Sequence, residues 1–141
     1  MRRLKSLLMP RRMPEKHLFE YAVIRVMPKV EREEFLNVGV ILYCASKGFL
    51  QTKFELNAAR LQVFAPDLDL PELHERLRAF ERICAGRKEG GTIGQLPVAS
   101  RFRWLTATRS TVVQTSPVHP GLCQDPADTL ARLYGELVLS A

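Results

Sequence analysis

The chain has 141 residues, a formal net charge of +6, 46% hydrophobic residues and 26% charged ones. That is the length of one domain able to bury a core without staples, and no run approaches the ~18 apolar residues of a membrane-spanning helix. Its three cysteines lie far apart and no signal peptide precedes them, which excludes a disulfide scaffold and predicts reduced thiols in the cytoplasm.

The charge is unevenly placed. Residues 1–16 hold six Lys/Arg and one Glu, so they supply +5 of the +6. We read them as a disordered basic leader, with 17–141 as a single α+β domain; Met9 and Met13 are alternative starts. A basic tail also suits nucleic acid or an anionic membrane. The nearly neutral body argues against nucleic acid, whose binding depends on many cations, and no membrane partner is expected.

Residues 19–27 (FEYAVIRVM) and 38–44 (VGVILYC) are rich in β-branched and aromatic residues and apolar on both faces, the pattern of central strands. Pro28 ends the first. Residues 30–36 (VEREEFL) predict a helical turn or a wide charged loop. Gly39 inside the second strand predicts a bulge or a close backbone approach. Residues 45–48 (ASKG) make a hairpin loop into a third strand, 49–56. There Leu50, Thr52, Phe54 and Leu56 share one face, and Gln51, Lys53 and Glu55 face water.

Asn57 caps a short helix over 58–64, and Asp69 caps a longer one. In the latter, Leu73, Leu77, Phe80 and Cys84 form an apolar stripe that Gly86 terminates. Residues 87–97 read as a glycine-rich loop lacking the Gly-Lys-Ser/Thr ending of a phosphate loop. A helix or turn follows over 98–107, with Phe102 or Trp104 inward and the single tryptophan assigned to the core. Residues 111–115 predict a fourth strand, 116–121 a rigid loop, and Asp125-Pro126 a last helix with Leu130, Leu133, Tyr134, Leu137 and Val138 on one face. The expected fold is a small antiparallel sheet of about four strands with helices packed mainly on one face.

Two places carry candidate chemistry. Residues 109–121 (RSTVVQTSPVHPG) gather Arg109, Ser110, Thr111, Gln114, Ser116 and His119, a set that can hold an anion around a histidine titrating near neutrality. Arg25 lies on the same face as Phe19, Tyr21 and Val23 in a strand expected to be central, so a glutamate partner is expected for it. His119 and Cys123 make half a metal site at most, and no metal or cofactor is assigned. No nucleophile can be paired with a base by spacing, which leaves catalysis undecided. The alternation Arg101-Phe102-Arg103-Trp104 has the look of a nucleic-acid surface, but the neutral body weighs against it.

Three stretches, FEYAVIRVMPKVEREEFLNVGVILYC, APDLDL and RSTVVQTSPVHPGLC, resemble the bacterial family called domain of unknown function 3037. The likeness spans about 19–138 and leaves the tail outside it. It implies no activity and no catalytic residue. It does imply a partner to consider, since members of the family are often encoded beside kinases of the HipA type. The resulting expectation is a non-catalytic binding or adaptor module for a protein partner. The alternative is a small enzyme or sensor for a phosphorylated or anionic ligand at 109–119.

Overall fold

A computed structural model describes residues 15–109 and 111–139. All but the last two residues of the basic leader, and Ser110, lie outside the described residues. The first strand, β1 (His17–Val26), is hydrogen-bonded along both flanks. On one flank it pairs antiparallel with β2 (Leu36–Cys44), which pairs in turn with the edge strand β3 (Phe49–Phe54). On the other flank, β4 (Val113–Thr115) takes the C-terminal end of β1 and β5 (His119–Cys123) takes its N-terminal end. The sheet therefore has five strands, one more than the sequence pattern predicts.

The additional strand begins inside the stretch expected to be a loop. Pro117 and Pro120 argued against pairing there, but proline is tolerated where a strand forms the sheet edge. The junction between β4 and β5 is closed by Ser116. Its N–H donates to the Val23 carbonyl at 2.8 Å, and its Oγ accepts from the Val23 N–H at 2.8 Å. A side-chain oxygen thus takes the place of a ladder carbonyl at the centre of β1. The fourth strand shortens accordingly, from the expected five residues to three.

Register explains the double-sided apolar pattern of β1. Ala22, Ile24 and Val26 point to one face and are fully buried. There they meet α1 (Ala58–Phe64), α2 (Leu70–Ala85), the single turn α3 (Gly91–Gly94) and α4 (Val98–Leu105) through Leu61, Leu77, Phe102 and Leu105. On the opposite face, Phe19 joins Val40, Leu42 and Cys44 beneath α5 (Pro126–Tyr134), which continues as a π-helical turn over Gly135–Leu139. Four helices pack on one face and the last on the other. A strand pair apolar on both sides requires that arrangement.

The expected caps are present. Asn57, Asp69 and Asp125 accept from the backbone N–H groups of Arg60, Glu72 and Ala127 at 3.1, 3.1 and 2.9 Å. The ladder slips one residue at Val38, and a Cβ on neighbouring Gly39 would lie 2.7 Å from the Lys53 carbonyl, so the bulge and the close approach are one feature. Gly86 ends α2 at φ 72°, and the Arg101 guanidinium fills the space where its Cβ would be. Buried Arg101 donates to the carbonyls of Ile83, Cys84 and Leu96 at 2.9, 2.7 and 2.9 Å, so a cation closes the negative end of α2.

Trp104 corrects the sequence reading. It is 40% exposed, whereas Phe102 is fully buried and stacks on Tyr43 at 5.2 Å. Phe102 and Leu105, three residues apart, form the inward face of α4, which turns Trp104 to the flank.

The Ser116 contact generates a prediction. Ser116→Ala leaves the buried Val23 N–H without its acceptor and should lower unfolding free energy by about 1–3 kcal/mol. Urea denaturation followed by circular dichroism measures this; an unchanged midpoint would mean that the ladder closes without the hydroxyl.

Candidate binding surface

Directly opposite residues of an antiparallel pair share a face, so register decides which candidates meet. Arg25 lies opposite Asn37 on β2 and Gln114 on β4, and Tyr21 lies opposite His119 on β5. Arg25, Gln114 and His119 therefore belong to one row on the α5 side of the sheet. The bulk of α5 sits over β2 and β3, leaving this row along β1 beside it. His119 packs on Tyr21 with ring centroids 5.3 Å apart.

Arg25 departs from expectation. It makes no ion pair among the described residues. Its guanidinium instead lies over the ring of Phe35, 4.0 Å from the centroid. Glu20, Glu31, Glu33, Glu34 and Glu55 were the expected partners, but Glu20 pairs with Arg103. The charged turn folds back as a short 3-10 segment, Val30–Arg32, with Glu33 in the left-handed region at φ 56°. That conformation is strained for a side chain with a Cβ. Phe35, two residues further on, is delivered to Arg25 in place of a carboxylate.

Beneath this pair are two buried polar atoms without hydrogen-bond partners among the described residues, Arg25 Nε and Asn37 Oδ1. Asn37 uses its amide nitrogen on the Leu137 carbonyl at 3.2 Å, tying the C-terminal turn to the end of β2. A donor and an acceptor left open on facing residues, under a half-exposed aromatic ring, are the most unusual polar feature of the fold.

The other described polar residues of 109–121 point elsewhere, and Gln114 keeps its place in the row while bonding within its own loop. Ile24 lies opposite Thr115, so Thr115 faces the other side of the sheet, where its hydroxyl approaches the Thr106 carbonyl at 3.4 Å. Arg109 stays with α4: it donates to the Trp104 carbonyl and its guanidinium lies 4.0 Å from that ring's centroid, and partial burial lowers its pKa. The Thr111 hydroxyl donates to Val113 O at 2.6 Å, and the Gln114 amide to Thr111 O at 2.9 Å. Ser116 is held by Val23 and Pro117. The described part of the polar stretch is thus divided between the two faces, with the Thr111, Thr115 and Ser116 hydroxyls engaged by backbone.

The remaining reactive groups are similarly occupied. Cys44, Cys84 and Cys123 are buried free thiols. Burial pushes Cys84 up to about 11, and burial also raises Cys123. Arg103 forms a two-pronged pair with Glu20 at 3.1 and 3.0 Å. Among the described residues no group of three His, Cys, Asp or Glu is placed to hold a metal, and no helix is long and apolar enough to cross a membrane.

The far side of the charged turn lines an open cleft of about 530 Å³. Its walls are the Pro28–Glu34 turn, residues 64–69 between α1 and α2, and Val112. All three stretches that carry the family resemblance meet there. The cleft's charges are largely engaged: Arg32 pairs with Glu34, Glu72 with Arg76, and Asp69 caps α2.

A five-stranded antiparallel sheet between one helix and a helical layer makes the chain an α+β protein. It belongs to the family described as protein of unknown function (DUF3037), whose model matches residues 21–138. No curated protein and no solved structure matches it.

Two predictions follow from these environments. Arg25→Met strands no carboxylate, removes an orphaned donor worth about 1–3 kcal/mol and gives up a cation–π contact worth ~0.5–1 kcal/mol. The variant should unfold at or slightly above the wild-type denaturant midpoint; a loss of about 3–5 kcal/mol would instead reveal a carboxylate partner. Cys84 is neutral in the folded state up to about 11, against 9.0 when exposed. Its contribution is complete below pH 9.0 and lost as pH rises through about 11, on the order of 2–3 kcal/mol. Cys84→Ala should show a correspondingly shallower decline in alkaline denaturation, and parallel curves would refute this.

Proposed function

We propose that this protein is a non-catalytic binding module that docks a protein partner on the row formed by Arg25, Phe35, Gln114, Tyr21 and His119. The carrying observation is the Arg25–Phe35 pair, a half-exposed ring 4.0 Å from a guanidinium with an unpaired buried Nε. Arginine and aromatic side chains dominate the energetics of protein interfaces, and a pair already stacked loses little side-chain freedom on association. Backbone engagement of the Thr111 and Ser116 hydroxyls and burial of the thiols favour recognition over covalent chemistry. The separation of Arg109 from His119 across the sheet weighs against a shared anion site.

The family resemblance suggests a kinase of the HipA type as the partner to test, in a cytoplasmic setting. Isothermal titration of the purified chain with such a kinase is expected to show binding that weakens roughly tenfold, about 1.4 kcal/mol, in Phe35→Ala and in Arg25→Ala. Thermal stability of both variants should stay near wild type. Unchanged affinity in both would move the interface elsewhere. A melting-temperature rise with phosphate or nucleotides, abolished in Arg109→Ala and His119→Ala, would favour the anionic-ligand alternative.

A further inference from the structure

The two edges of the sheet are built differently. The β4–β5 edge is broken at residues 116–118 and carries Pro117 and Pro120, features that discourage another strand from pairing there. The β3 edge runs unbroken from Phe49 to Phe54.

Register shows what this edge presents. The Glu55 N–H donates to Val38 O at 2.8 Å. Hydrogen-bonded pairs recur at every second residue of an antiparallel ladder, so Gln51 and Lys53 direct their backbone groups to β2. Leu50, Thr52 and Phe54 therefore direct theirs outward, spaced about 6.8 Å apart. Their side chains are anchored: Leu50 in the core, the Thr52 hydroxyl 3.2 Å from Cys84 Sγ, and Phe54 edge-on to His74 at 5.8 Å. The open backbone groups are thus held in place.

A trough follows the same edge. One part, about 500 Å³, lies between Lys47–Thr52 and Glu81, Cys84 and Ala85 of α2. The next, about 400 Å³, shares Thr52 and Glu81 with it and reaches Lys53, His74, Arg78 and Tyr134. Its lining holds Lys47, Lys53 and Arg78 against the single carboxylate Glu81. Glu81 lies 3.9 Å from Arg78, and neither lysine makes an ion pair among the described residues.

We propose that β3 is a second docking edge, taking an extended acidic peptide segment of a protein partner as a sixth strand. Main-chain hydrogen bonds to Leu50, Thr52 and Phe54 supply the pairing, and side chains of alternate peptide residues reach Lys53 on one face. Acidic residues at alternate positions place one opposite Lys53, and Glu55 on the same face bounds the acidic stretch at that end. The same lysines work against a second copy of this chain, because edge-to-edge pairing would gather Lys47 and Lys53 from both copies along one seam.

The test uses the full chain and a fluorescent peptide of alternating glutamate and threonine. Anisotropy should report binding, weakened roughly tenfold by Lys47→Glu with Lys53→Glu and lost when the peptide backbone is N-methylated. Amide exchange should slow at Leu50, Thr52 and Phe54 on addition of the peptide, and Phe35→Ala should bind it normally. Equal binding of a lysine–threonine peptide, insensitivity to the lysine reversals, or no binding would overturn the proposal. Slowed exchange that depends on protein concentration without peptide would assign the edge to self-association and also overturn it.

Discussion

At the middle of β1, the Val23 N–H is received by a serine hydroxyl where a ladder would place a carbonyl. Much of the molecule depends on that substitution. A single serine lets the chain from Val113 to Cys123 follow the whole of β1 despite two prolines, so β1 becomes central in hydrogen bonding as well as in burial. With both flanks paired, β1 fixes the register of Arg25, Gln114 and His119. Arg25 and His119 share one face because both strands keep their alternation across the break.

The arginines show how environment, more than residue type, assigns roles in this fold. Arg101 is buried and satisfied by two carbonyls at the end of α2 and by the Leu96 carbonyl ahead of α4. Arg103 answers the glutamate of β1 at the surface, where such a pair contributes ~1 kcal/mol or less. Arg109 lies on Trp104 and Arg25 on Phe35. Of these, Arg25 alone pairs an exposed aromatic lid with a buried atom unsatisfied among the described residues, and the proposed binding surface centres on it for that reason.

The proposed partner surface and the β3 edge use different physics. The first is a side-chain surface, where a stacked cation and ring offer area at low entropic cost. The second is a main-chain surface, where specificity is proposed to come from lysines selecting the charge of an incoming strand. They lie on opposite flanks of the sheet, so occupation of one leaves the other open.

Local signals in the sequence were sufficient for much of this fold. Three helix caps, the stripe on α2, the hairpin loop, the slip at Gly39 and the double-sided apolar strands all arise from contacts between near neighbours, or from periodicity that one segment carries alone. Arg25, Gln114 and His119 were legible as candidates, and the face of Arg25 followed from alternation. Tertiary structure decided the rest. Whether a proline-rich segment pairs depends on its lying at an edge, and the rescue by Ser116 joins residues 93 apart in the chain. Whether Arg25 meets a carboxylate or a ring depends on how the charged turn folds back. The split of residues 109–121 between two faces follows from cross-strand register. Each of these is set by which distant segment occupies the neighbouring space, and a one-dimensional pattern does not encode that choice locally.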